Sequence, residues 1–207
     1  MPFRRSVRTA FILISGLLIA SCSTSNILTN RDWQAHQTLV AANTYWTLQG
    51  RLNIRQGNNS DTVSINWQQT EQIFEINLSG ALGLGATLVS GNPGMIRLQR
   101  GNEEPVMAAS LGELSRDYLG YEFPAEALYY WVRGIPAPGS PANLVLGENQ
   151  LLASLRQQDA KGNYWQLVYD RYADNNGLSL PGRIRMTHPD FQLTFIIQSW
   201  QLGPGNG

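Results

Sequence analysis

The feature that most constrains the fold of this chain is an alternation of apolar and polar residues that returns in several separate segments. In WTLQGRLNIR, the apolar residues Trp46, Leu48, Leu52 and Ile54 alternate with polar ones. TVSINWQQT, QIFEINLS and FQLTFIIQSW repeat the pattern. Because successive side chains of a strand point to opposite faces, this period of two predicts antiparallel strands with one buried face and one solvated face.

Turn signals divide these segments into two series of strands. Between residues 46 and 100, turns such as GNNSD and GNPG separate about four or five strands, which predicts an antiparallel meander. IPAPGSPA is predicted to be a rigid loop, and a second series of strands is predicted at about 151–158, 164–172, 181–187 and 191–200. No internal repeat interrupts this order, so we expect one domain after the N-terminal segment.

Three segments have a helical period instead. The first is predicted at about 31–43. The other two, SLGELSRDYLG and PAEALYYWVRG, lie between the two series of strands. Ser110 and Glu113 have the spacing of a capping box, and Pro124 suits a first helical turn.

These elements predict a mainly β (α+β) fold with an antiparallel sheet, in which an apolar cavity under the helices is one possible arrangement. A sheet that closes only partly needs a cover for its concave face, and the two inserted helices are suited to that role. Leu52, Trp67 and Phe74 would line the cavity under them. A filled core built from the same residues is the alternative, and the pattern alone does not separate the two.

The N-terminus has the organisation of a secretory signal. Arg4, Arg5 and Arg8 precede an apolar stretch that is too short to span a bilayer, and Ile19-Ala20-Ser21-Cys22 follows. This ending resembles the bacterial lipoprotein signal, in which the cysteine thiol receives a diacylglyceryl group and cleavage occurs before it. We therefore predict a lipoprotein signal peptide at 1–21, a lipidated tether at 22–29 and a single domain at 30–207.

The charge and the reactive residues exclude several classes of function. Three of the 15 basic residues lie in the signal, which leaves 12 against 15 acidic residues, a net charge of −3 that argues against nucleic-acid binding. The single cysteine allows no disulfide, and His36 and His188 are too few and too far apart for a metal site. No G-x-S-x-G elbow or complete dinucleotide motif is present, so we expect neither an enzyme nor a cofactor.

One predicted turn is unusual because its tip is apolar. SGALGLGAT carries Leu82 and Leu84 among three glycines and has no charge, although turn tips are usually polar. The lipoprotein signal places a membrane within reach of this tip. We therefore expect the loop to contact the bilayer.

Several short stretches resemble the LolB family of outer-membrane lipoprotein receptors, in the same order along the chain. They are DWQAHQ, NWQQT, the Leu82-Gly83 tip, YWVRGIP, GNYWQLVYDRY and LPGRIRM followed by IIQSW. The resemblance implies an incomplete β-barrel with a helical lid, a fold shared with the soluble carrier LolA. It also implies a protein anchored in the outer membrane and facing the periplasm, which accepts lipoproteins from that carrier and inserts them into the membrane. Ser23 agrees with this location, since Asp after the cysteine retains such proteins in the inner membrane.

The resemblance also assigns roles to particular residues. The family's protruding loop falls on Leu82, Gly83 and Leu84, with Ala81 where the family has proline. The family's cavity tryptophans match Trp67, Trp131 and Trp165.

The implied partners are a LolA-like periplasmic carrier, acylated lipoprotein cargo and outer-membrane lipid, with the chain acting as a monomer. Two alternatives stay open at this point. One is a lipid- or glycolipid-binding lipoprotein of similar fold, and the other is a structural lipoprotein with a partner-binding loop.

Overall fold

The structure is a computed structural model that describes residues 33–80, 86–119, 123–189 and 191–203. Three helices and thirteen strands are found in these ranges. The helices are α1 (Trp33–Ala42), α2 (Leu111–Leu119) and α3 (Ala125–Trp131). The strands are β1 (Tyr45–Gln56), β2 (Asn59–Thr70), β3 (Ile73–Gly80), β4 (Thr87–Asn92), β5 (Met95–Arg100), β6 (Val106–Ala108), β7 (Ala142–Leu146), β8 (Leu152–Gln158), β9 (Tyr164–Asp170), β10 (Ala173–Asn175), β11 (Leu178–Leu180), β12 (Arg183–His188) and β13 (Phe191–Leu202).

Eleven of these strands form one antiparallel sheet in the order β6-β5-β4-β3-β2-β1-β13-β12-β9-β8-β7. The first and last long strands meet in the middle of the sheet, where β1 pairs with β13 and Leu52 lies opposite Phe195. The sheet is open, with β6 and β7 at its two edges. The predicted fold class, an incomplete barrel of antiparallel strands with helices, is therefore confirmed.

The core lies on the inward face of the sheet, as the alternation predicted. On β2 the side chains of Val63, Ile65 and Trp67 are buried, while the residues between them are exposed. Helices α2 and α3 cover this face. Helix α1 packs at one end of the sheet, where Val40 and Ile135 belong to a second, smaller cluster of buried residues.

Two edge strands were missed in the sequence. β6 was not predicted, and β7 begins at Ala142, within the segment interpreted as a rigid loop. Both strands are short and lack a buried face, since Met107 and Val145 are exposed. An edge strand pairs on one side only and need not bury alternate residues, so the period of two is lost there. The short hairpin of β10 and β11 was not predicted either. The strand predicted at 181–187 follows it and is β12, which begins at Arg183.

Gly50 lets β1 pass closely over β13 at a bulge. The register of the two strands shifts between Gln49 and Gly50, and a Cβ on Gly50 would lie 2.2 Å from the backbone oxygen of Ile196. We expect Gly50→Ala to lower the free energy of unfolding by about 1–3 kcal/mol, because the strands must separate to admit the methyl group. Urea denaturation measures this loss.

Gly57 provides the matched control. It sits in the β1–β2 turn with φ +57°, and no heavy atom lies within 4 Å of a Cβ built there. Asparagine tolerates this left-handed conformation, so Gly57→Asn is expected to change the unfolding free energy by less than about 0.5 kcal/mol. Equal losses for the two variants would contradict the role assigned to Gly50.

Candidate functional site

The inward face of the sheet and the helical lid enclose an apolar cavity of about 160 Å³. Its floor comes from strands β1 to β5 and β13. The floor includes side chains at successive inward positions: Leu52, Ile65, Trp67, Ile76, Val89 and Leu98. Four of them are direct neighbours across the sheet, because Trp67 pairs with Ile76, Ile76 with Val89, and Val89 with Leu98. The alternation of the strands therefore builds one continuous hydrocarbon surface.

The roof of the cavity comes from α2, α3 and Phe123 before α3. Leu111 and Leu114 of α2 and Leu128 of α3 reach the cavity from above. The N-terminus of α2 is capped as predicted, since Ser110 Oγ accepts a hydrogen bond from the Glu113 N–H at 3.0 Å and Glu113 Oε2 accepts one from the Ala109 N–H at 2.9 Å. A capped helix start fixes where α2 enters the roof.

Two polar side chains of the cavity wall, those of Trp67 and Ser115, are hydrogen bonded within the wall. The Trp67 indole N–H donates to Gln69 Oε1 at 3.1 Å, so its ring presents carbon to the cavity. Ser115 Oγ donates to the Gly112 carbonyl at 2.9 Å and accepts from the Phe123 N–H at 2.8 Å. A wall that is almost entirely apolar offers water few partners and favours a hydrocarbon ligand.

The size of the cavity shows that the lid lies close to the sheet. A cavity of about 150 Å³ holds a molecule about as large as benzene. A membrane acyl chain spans half of a bilayer core, roughly 15 Å, and is several times larger. The cavity as it stands therefore holds only part of such a chain.

The predicted cavity residues fall into two groups. Leu52 and Trp67 lie in the cavity wall. Phe74 of β3 is buried in the core but does not line the cavity. It lies closer to the β2–β3 turn than Ile76, the β3 residue that does line it.

Trp131 and Trp165 also lie outside the cavity wall, packed against each other with ring centroids 5.8 Å apart. Trp131 donates to Gln157 Oε1 at 2.8 Å, and Trp165 donates to Asp159 Oδ2 at 3.2 Å. Both indoles are almost fully buried because the C-terminal end of α3 packs onto β8 and β9. The structure thus places them in the core that supports the lid.

The remaining predicted residues, Cys22, Leu82, Gly83 and Leu84, lie outside the described residues. The loop that would carry the leucines connects β3 to β4, which are antiparallel neighbours with Leu78 opposite Thr87. Sequence reasoning did not single out Val89, Leu98 or the lid leucines. The alternation in ATLVS and MIRLQR was the signal that could have found the first two.

A buried arginine at the end of α3 was also missed. The Arg133 guanidinium donates from Nη1 to the carbonyls of Val40 at 2.8 Å and Asn43 at 3.0 Å, and from Nε to the Tyr129 carbonyl at 3.1 Å. It lies 4.0 Å from the centroid of the Tyr129 ring. Burial lowers its pKa, and the electrostatic interactions with Tyr129 and Tyr130 oppose that change. Arg133 therefore ties the base of the lid to the C-terminal end of α1.

Two other kinds of site were searched for in the described part of the chain. No three side chains of His, Cys, Asp or Glu come together there in a way that could hold a metal ion. None of the described helices is both long enough and apolar enough to span a bilayer.

Solved structures of the same class of fold superpose on this chain. A LolA superfamily protein from Nitrosomonas europaea superposes with a TM-score of 0.54 at 7% identity, over 83% of this chain and 94% of the other. A DUF1329 family protein from Desulfovibrio piger superposes with a TM-score of 0.55 at 9% identity, over 85% and 92% of the two chains. At such low identities these similarities show the fold alone.

Sequence similarity identifies the family within this class. The family model described as outer membrane lipoprotein LolB matches residues 44–200. LolB of Pseudomonas syringae is 35% identical over 170 residues, which cover 82% of this chain and 80% of the relative. LolB of Stutzerimonas stutzeri is 37% identical over 169 residues, with coverage of 82% and 80%. The chain belongs to the LolB family of outer-membrane lipoproteins.

Proposed function

We propose that this chain accepts acylated lipoproteins from a LolA-like periplasmic carrier and inserts them into the inner leaflet of the outer membrane. The observation that carries the proposal is the apolar cavity under a helical lid, in a member of the LolB family. The cargo is moved without a bond being made or broken, so the chain is not an enzyme. Cys22 is the proposed site of lipid attachment.

The hydrophobic effect determines the route of the cargo. Each methylene group exposed to water during transfer would cost about 0.8 kcal/mol, so an acyl chain passes between two apolar cavities that face each other. Net transfer requires that this cavity hold the chain better than the carrier does, or that the membrane remove it. The helical lid then shields the apolar floor from water before the cargo arrives.

The cavity is tested by filling it. Val89 is a floor residue with 7% exposure, and Val89→Phe places an aromatic ring in the empty space. Excluding about two methylene groups from the cavity costs about 1.6 kcal/mol, so acceptance of lipoprotein from a loaded carrier is expected to fall roughly tenfold. The measurement uses the mature chain with Cys22→Ser, purified without acylation, and follows transfer from the carrier.

Val168→Phe is the matched control, because Val168 is 39% exposed on the outward face of β9. It makes the same substitution away from the cavity and is expected to accept cargo normally. If the Cys22→Ser chain takes no lipoprotein from the carrier but co-purifies with a lipid or glycolipid, the proposed function is wrong. If both phenylalanine variants accept cargo as well as the parent, the cavity is not the binding site.

A further inference from the structure

The outward face of the sheet carries a concentration of arginines that the net charge of the chain conceals. On the six adjacent strands β8, β9, β12, β13, β1 and β2, the charged residues at outward positions are five arginines and one aspartate. We call these five residues the arginine face: Arg51, Arg55, Arg156, Arg183 and Arg185. The aspartate, Asp170, pairs with Arg183 at 2.6 Å. The face therefore has a net charge of +4 at its outward positions.

Strand pairing brings these arginines together from distant parts of the sequence. Arg51 of β1 and Arg183 of β12 lie on either side of Ile196 in β13. Arg185 lies beside Thr194, and Arg55 lies beside Gln192 in the same strand. Arg51, Arg55 and Arg185 are exposed, and no carboxylate in the described part of the chain pairs with them.

The opposite side of the molecule has the opposite charge. Residues 103–126, which include α2 and the start of α3, contain six acidic residues and one arginine. Glu103, Glu104, Asp117 and Glu126 of this segment are exposed. Since α2 and α3 cover the inward face of the sheet, the negative lid and the arginine face lie on opposite sides of the cavity.

We propose that the arginine face binds the phosphate headgroups of anionic phospholipid in the bilayer and thereby orients the domain on the membrane. Guanidinium groups bind phosphate through two parallel hydrogen bonds, and basic residues near an anionic leaflet are attracted to it. The same surface potential repels the acidic lid. The domain then rests with its sheet toward the bilayer and its lid toward the aqueous side, where, on the proposed function, a carrier approaches.

The composition of the face favours a lipid surface over an acidic protein. Protein interfaces have an apolar, aromatic-rich centre, whereas the residues between the arginines are mostly small and polar, such as Ser64, Thr187 and Thr194. The larger exposed apolar side chains among them are Val168 and Ile196, near 40% exposed, and Tyr164, whose ring centroid lies 4.1 Å from the Arg156 guanidinium. As an outer-membrane lipoprotein, the chain also meets the bilayer surface at a high effective concentration.

Vesicle binding tests the proposal without carrier or cargo, so its result is independent of the transfer function. The mature chain with Cys22→Ser is mixed at low salt with vesicles of neutral phospholipid, or of neutral phospholipid containing phosphatidylglycerol. We expect sedimentation with the anionic vesicles only, lost as salt is added. Arg51→Gln with Arg185→Gln should weaken binding about 30-fold, from about fivefold for each arginine.

The control variant, Arg97→Gln with Arg116→Gln, has the same net charge as the Arg51/Arg185 variant. Arg97 is at an outward position of β5, which β3 and β4 separate from the arginine face, and Arg116 lies on α2. The control variant is expected to bind within about twofold of the parent. Equal weakening of the two variants, or equal binding of the parent to neutral vesicles, would overturn the proposal. The proposal would also be overturned if the Arg51/Arg185 variant bound vesicles normally but no longer bound a purified LolA-like carrier. That result would show that the arginine face binds an acidic protein surface.

The orientation of the domain on the vesicle surface gives a second test of the proposal. The Cys22→Ser chain has no cysteine, so a fluorophore can be attached to a single new one. A label at Ser64→Cys on the outward side of β2 should be quenched by a headgroup-linked quencher, and a label at Asp117→Cys on α2 should not. The reverse pattern would show that the lid faces the bilayer and would overturn the proposal.

Discussion

A chain that carries both Leu82→Glu and Leu84→Glu is expected to accept lipoproteins from the carrier and to fail to deliver them to vesicles. We propose that these two leucines enter the bilayer when cargo is released. Burying a leucine side chain contributes about 1.5–3 kcal/mol, and a charge in its place opposes insertion, so delivery should fall at least about 100-fold. A reconstituted transfer assay that scores acceptance and delivery separately measures the effect.

Leu82→Ile with Leu84→Ile is the control, because it keeps the apolar surface while changing both side chains. It is expected to deliver cargo at the parental rate. The single variants Leu82→Glu and Leu84→Glu then show whether one leucine suffices in a chain that has alanine at position 81. Normal delivery by the double glutamate variant would refute the membrane role of the loop, and loss of acceptance would move its role to the carrier.

The fold was largely predictable because its main strands have one buried face. Residues such as Val63, Ile65 and Trp67 alternate strictly with polar neighbours, and the structure buries each of them. The order of the first five strands followed from the turns between them. The pairing of β1 with β13 did not, because it joins strands about 150 residues apart and no turn fixes its register.

The cavity was only partly predictable for a related reason. The alternation shows which side chains point inward, but not which of them face empty space and which face another side chain. Leu52 and Trp67 lie in the wall, whereas Trp131 and Trp165 fill the region where α3 packs onto the sheet. That difference depends on where the lid helices lie, which local sequence patterns do not determine.

The distribution of charge on the surface was also only partly predictable from the sequence. Arg51 and Arg185 stand at outward positions that the alternation predicts for each strand separately. They become members of one surface only through the long-range pairing of β1, β13 and β12. A net charge of −3 for the mature chain therefore coexists with a sheet face of opposite sign.

Replacing Arg133 by methionine is expected to cost about 3–5 kcal/mol of unfolding free energy, although methionine retains much of the aliphatic stem. The change removes all three hydrogen bonds that the guanidinium donates, to the carbonyls of Val40, Asn43 and Tyr129. It leaves the carbonyls of Asn43 and Tyr129 without this donor, whereas the Val40 carbonyl keeps a hydrogen bond from the Asn43 N–H at 3.3 Å. Each unsatisfied buried acceptor costs about 1–3 kcal/mol. It also removes the stacking of the cation on Tyr129.

Urea denaturation of three variants separates these contributions. Arg133→Lys keeps the charge and donors on one nitrogen but loses the separate Nε donor to the Tyr129 carbonyl and the planar group that stacks on its ring, so its loss should be smaller than that of Arg133→Met. Arg171→Met is the control, since the Arg171 side chain is 62% exposed and its contact with Asp170 is long, at 3.8 Å. It should change stability by less than about 0.5 kcal/mol. If Arg133→Met were as stable as the parent, this arginine would not hold the base of the lid to α1. The lid would then need another anchor over the cavity.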